Sequence, residues 1–186
     1  SHEPGEARVN SLHAGSRWTL GYRMCNGNAL RVRVFDFQVT DDNDNEYEVN
    51  NIDIEYALNF GFDCGWCGEL SVGARRGEFF EEATGGNVNN SWGPLVGLEL
   101  RAPLTCCLDL YAGVRQSYQF GHDENADDPM YYAISEVRFG AEYRQCTGYG
   151  EMFLRTGVEA QNYQHYTDGT EDTALLGLTL SAGLQR

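Results

Sequence analysis

Leu30-Arg31-Val32-Arg33-Val34 and Ile52-Asp53-Ile54-Glu55-Tyr56-Ala57-Leu58 decide how this chain folds. In both stretches apolar and mostly charged residues alternate with period 2, which puts an apolar face and a charged face on the same extended strand. The alternation recurs in nine segments, roughly 16–25, 29–40, 51–64, 67–79, 93–105, 107–120, 130–145, 150–163 and 173–185. Strands of soluble domains most often have about 5 or 6 residues, and a tilted membrane strand needs about 9 to 11, so these lengths suit the membrane case. The expectation is an all-β, up-and-down antiparallel β-barrel of about ten or more strands, outer-membrane type, in residues 15–186. Residues 1–14 are expected to be an N-terminal extension or a weak additional strand, Ala7 to His13, the alternative being that upstream strands are absent from this chain.

The six cysteines repeat this organisation. Cys25 and Cys64, Cys67 and Cys106, and Cys107 and Cys146 are each 39 positions apart. Each interval holds two alternating segments joined by an acidic loop, so all six cysteines fall at short turns on one rim of a meander. In that meander Cys67 neighbours Cys106 and Cys107 neighbours Cys146, leaving Cys25 to pair with Cys64 across an intervening strand. Disulfide staples of this kind imply an oxidising compartment. Nothing from Ser1 onward reads as a secretory leader, as expected of a mature chain.

The two phases of the alternation differ sharply. One is almost wholly apolar. The other carries ten of the thirteen arginines (Arg17, Arg23, Arg31, Arg33, Arg75, Arg101, Arg115, Arg138, Arg144 and Arg155) interleaved with Asp53, Glu55, Glu69, Glu99, Asp109, Glu136, Glu142 and Glu159. Nine glycines share that phase: Gly21, Gly61, Gly73, Gly97, Gly113, Gly140, Gly157, Gly177 and Gly183. Glycine weakens a solvated strand without return, but facing a small lumen it leaves room for long arginines. Guanidinium forks also pair bidentately with carboxylates in a confined space. The polar phase is therefore expected to face the lumen and the apolar phase lipid. The competing expectation is a secreted soluble barrel or sandwich with the faces reversed, serving as a binding or surface-assembly module.

Composition narrows the partners. The net charge is -15, and none of the 13 basic residues is lysine. A nucleic-acid partner would require a basic face. The expected partners are a lipid bilayer or detergent, together with further copies in a homo-oligomer or envelope assembly. The acidic loops suggest a divalent-cation rim for calcium or magnesium, with Asp42, Asp44, Glu46, Asp127 and Asp128 as carboxylate ligands. Cys64-Gly65-Trp66-Cys67 has redox spacing but sits at a strand-to-strand turn, where no helix N-terminus activates the thiol. No nucleophile elbow or phosphate loop occurs, and an enzyme is not expected.

Several strings resemble the Legionella-type major outer membrane proteins, a pore-forming family with members in planctomycete bacteria. They are Leu20-Gly21-Tyr22-Arg23, Leu30-Arg31-Val32-Arg33-Val34-Phe35-Asp36-Phe37, Ile52-Asp53-Ile54-Glu55-Tyr56, Gly73-Ala74-Arg75, Gly93-Pro94-Leu95-Val96-Gly97-Leu98-Glu99-Leu100-Arg101-Ala102-Pro103-Leu104 and Gly157-Val158-Glu159-Ala160-Gln161. The resemblance implies a bacterial outer-membrane barrel with pore activity. The chain departs from the family pattern in its nine strong strands and its Leu184-Gln185-Arg186 end, where an even strand count and a terminal aromatic are usual.

Overall fold

A computed structural model describes residues 15–40, 46–62, 65–81, 87–123, 129–148, 150–165 and 173–185. Nine strands follow one another: β1 (Ser16–Arg23), β2 (Ala29–Thr40), β3 (Glu46–Gly61), β4 (Cys67–Glu81), β5 (Asn87–Pro103), β6 (Leu108–Asp123), β7 (Pro129–Thr147), β8 (Gly150–His165) and β9 (Thr173–Gln185). They pair in chain order, each antiparallel to the next, in one sheet that curls into a half-barrel with β1 and β9 as its edges.

The strands run further towards the acidic loops than the alternation predicts. β3 opens at Glu46 rather than near 51, β5 at Asn87 rather than 93, and β8 continues to His165. Asn50, Glu78 and Asn90 break the apolar phase there, but the backbone ladder joins them regardless, Asn50 opposite Glu78 and Glu78 opposite Asn90. Backbone pairing needs no alternation; only a face against an apolar medium does.

At the other rim the turns are tight. Met24 accepts from the Gly27 amide at 2.9 Å, and Gly27 has a φ of 85°, a left-handed backbone that a side chain would strain. Gly65 does the same between β3 and β4, with a φ of 82°.

Register fixes the tilt. A row perpendicular to the strands starts at Arg23, beside the first short turn, and passes through Ala29, Ala57, Ser71, Gly97, Arg115, Glu136 and Gln161. It reaches β9 at Leu175, near that strand's opposite end. The row thus slips about ten positions over eight strand steps; at about 3.3 Å rise and 4.8 Å spacing this inclines the strands by about 40°, within the range of closed barrels.

Candidate functional site: a charged interior and an apolar exterior

The concave face gathers the polar phase. Asp53 on β3, Arg75 on β4, Arg115 on β6 and Glu136 on β7 form a buried quartet in which the charges balance. Arg75 donates to both Asp53 oxygens, at 2.6 and 3.0 Å, and also to Glu136. Arg115 donates to Asp53 at 2.7 Å, to Glu136 at 3.1 Å and to Glu55. Glu55 is wholly buried and also faces Arg31 at 3.1 Å and Arg33 at 3.5 Å. Fork-to-carboxylate pairing of this kind satisfies charges that could not otherwise leave water.

A second cluster lies nearer the short turns. Glu99 receives Arg138 at 2.7 Å and Arg101 at 2.9 Å, and Arg155 bridges Glu99 at 3.1 Å and Glu142 at 2.8 Å. The Arg155 guanidinium also lies 4.3 Å above the Tyr111 ring centre. Arg144 reaches Asp109 at the rim. Of the arginines expected inside, Arg23 is the exception: it is exposed at the end of β1 beside the first turn.

Glycine gives these side chains room at particular places. A Cβ on Gly113 would stand 3.1 Å from Arg138 Nε, and one on Gly97 would stand 3.0 Å from Arg115 Cγ and 2.7 Å from Ser71 Oγ. Gly73 and Gly140 have a different reason, because there the neighbouring strand's backbone occupies the Cβ position.

Periodicity alone did not reveal the loop-side end of the interior. Val49, Tyr132, Ile134 and Tyr163 form a buried apolar cluster with Phe35, Phe37 and Leu175 packed on it. All seven belong to the phase that elsewhere carries charge. Their signal was present as apolar residues out of phase, Phe35 and Phe37 on β2 and Tyr132 and Ile134 on β7. A hydrogen-bonded layer lies beneath them: Asn51 donates to the Tyr163 hydroxyl at 3.2 Å, which donates to Gln161 at 2.9 Å.

The convex face is apolar and open. Leu178 is 83% exposed, Leu20 80% and Leu110 46%, against 3% for both Asp53 and Glu136. The loop-side limit of this apolar belt steps across the register. It is marked by Asp36 and Asn50 on β2 and β3, whose row meets β5 at Asn90, and by Gln116, Ser135 and Asn162 on β6 to β8, whose row meets β5 at Val96. Six positions over four to five strands is the slip already set by the tilt, so the limit runs level around the barrel axis. Aromatics border it: Trp92, Phe120 and Tyr131 are adjacent on one row, with ring centres 6.3 and 6.0 Å apart. Tyr22, Phe60, Phe62 and Tyr143 lie towards the short turns, Phe60 and Phe62 edge to face at 5.5 Å.

The described cysteines, Cys25, Cys67, Cys106, Cys107 and Cys146, are free thiols on the short-turn side, and no two of them stand at disulfide distance; Cys64 lies outside the described residues. Cys106 and Cys107 come nearest, with sulfurs 3.4 Å apart, and this hydrogen bond raises the Cys107 thiol above its ordinary value. The Arg144 amide donates to the Cys107 carbonyl at 2.7 Å, which places Cys107 two residues from the position opposite Cys146. Of the expected cation ligands, Asp42, Asp44, Asp127 and Asp128 lie outside the described residues, and Glu46 opens β3 opposite Thr40. Among the described residues no group of three or more His, Cys, Asp or Glu side chains converges on a metal position. Comparison with protein-family models, curated proteins and solved structures finds no match to this chain.

Proposed function

We propose that this chain is a transmembrane β-barrel of the bacterial outer-membrane type whose lumen is closed by its own side chains, so that it serves as a structural protein of the cell envelope and not as a wide pore. The observation that carries this reading is the inverted polarity. Charged residues fill the interior, while a level belt of leucine, valine and isoleucine faces outward. A soluble barrel has every reason to do the opposite, since outward leucines gain nothing in water. From Trp92 on β5 to Leu104 just past its end the belt is about 12 residues long, which at about 40° tilt rises about 30 Å, close to a bilayer's hydrocarbon core.

Two features support a closed lumen. The apolar cluster around Ile134 blocks one end, and the ion pairs among Asp53, Arg75, Arg115 and Glu136 tie four strands across the middle. The staples Cys67–Cys106 and Cys107–Cys146 belong to the same proposal, formed in the oxidising periplasm after the strands have paired. The resemblance to the Legionella-type family is consistent with the location, and the packed interior argues for a structural role within it. Reconstitution tests both halves. The protein should require detergent for extraction and should give no steady conductance in planar bilayers; recovery in the aqueous phase without detergent would remove the membrane reading.

A further inference from the structure

The carboxylates of the interior are oversubscribed. Glu55 serves Arg31, Arg33 and Arg115, and Glu99 serves Arg101, Arg138 and Arg155. Asp53, Glu69, Glu136 and Glu142 complete the set but bring in only one further cation, Arg75. Seven guanidinium groups thus meet six carboxylates, and beside them Arg17–Glu159 and Arg144–Asp109 are balanced pairs. Arginine does not shed its proton, so the odd charge persists. The hydrogen bonds tell the same story. Nε of Arg31, Arg33, Arg115 and Arg138 and one terminal nitrogen of Arg75 are buried without a partner, whereas no buried carboxylate oxygen among the described residues is. What the interior lacks is an acceptor that carries negative charge.

Arg33 is the least satisfied of the seven. It is 6% exposed, its contact with Glu55 is 3.5 Å long, and Arg115, Arg138 and Arg31 all press like charge upon it. A narrow gap on the same inner face is lined by Ser71, Gly97, Arg115 and Arg138, together with Glu69 and Glu99, which are already turned to Arg31 and Arg138. We infer that a monoatomic anion of chloride size completes this interior, held among the guanidinium groups of Arg33, Arg115 and Arg138. Such an ion accepts from several N–H groups at once and removes the cost of a buried charge without a partner. Water alone would satisfy the donors and leave the charge. The gap is too narrow for phosphate or sulfate. The inference rests on the packed interior, and it holds whether the convex face meets lipid or not.

Denaturant titration of the full chain in micelles tests it, with sodium chloride exchanged for sodium gluconate at constant ionic strength. Once chloride exceeds its dissociation constant, the unfolding equilibrium constant should fall about tenfold for each tenfold rise in chloride. Sodium sulfate should not replace it. Arg33→Gln removes the odd charge and should abolish the dependence on chloride, while Arg76→Gln, at the exposed surface, should keep it. Equal stability of the unmodified chain in chloride and in gluconate overturns the inference. Dependence on chloride that survives Arg33→Gln overturns the assignment to this place. If Arg33→Gln does not fold, anomalous scattering from bromide in crystals of the unmodified chain decides: a peak among Arg33, Arg115 and Arg138 supports the site, and a peak elsewhere or none overturns it.

Discussion

Arg17 and Glu159 form a two-bond ion pair, both bonds at 2.6 Å, between the first strand and the eighth. No backbone ladder among the described residues joins β1 to β9, so side chains alone span this part of the seam. Arg17→Ala should loosen the seam more than it destabilises the sheet. Exchange of β9 amides should quicken while β4 to β7 keep their protection, and a uniform effect on all strands would contradict this.

The quartet of Asp53, Arg75, Arg115 and Glu136 is a sharper test of the interior. Removing one member leaves a buried charge without its partner, which costs about 3–5 kcal/mol. Arg115→Ala should therefore lower unfolding stability by about that amount, measured by denaturant titration in micelles, whereas Arg76→Ala should change it by less than about 0.5 kcal/mol, because Arg76 pairs with Glu78 at the exposed surface. Equal effects would mean that Arg115 is not buried as described.

Ile134 is wholly buried at the centre of the apolar cluster. Ile134→Ala should cost about 2–5 kcal/mol in stability. With the neighbouring charged layer left intact, it should not open a steady conductance; a variant that conducts would show that the apolar cluster alone seals the lumen.

The proposed staples require the short-turn rim to draw closer than the ladder holds it, since Cys67 stands opposite Arg101, five residues from Cys106. Non-reducing peptide mapping of protein from an oxidising compartment should recover Cys67–Cys106 and Cys107–Cys146. Each closes a loop of about 40 residues, for which the chain-entropy model gives roughly 4 kcal/mol. A Cys106–Cys107 link, whose sulfurs stand 3.4 Å apart as thiols, would contradict that pairing.

Much of this architecture was legible in the sequence because a strand reports its environment every second residue. Ile52, Ile54 and Tyr56 against Asp53 and Glu55 are enough to separate two faces. The ends were harder to read: Glu46 to Asn50 pair with β2 as a ladder beyond the apolar belt, where no medium imposes alternation. The cluster at Tyr132, Ile134 and Tyr163 escaped because a large apolar residue on the charged face looks like noise until its neighbours across the lumen are known. Which carboxylate pairs with which arginine depends on register and tilt, and neither is written in single-strand periodicity.

The inverted polarity is the central claim, and depth-dependent quenching tests it most directly. Single labels at Leu98, Leu110 and Val158 on the convex face, in protein reconstituted into vesicles, should be quenched by lipid-borne quenchers. Labels at Gly61 and Gly177 on the concave face, where a Cβ meets nothing within 4 Å, should not be. Quenching of the glycine positions with the leucine positions silent would reverse the two faces and contradict the membrane barrel.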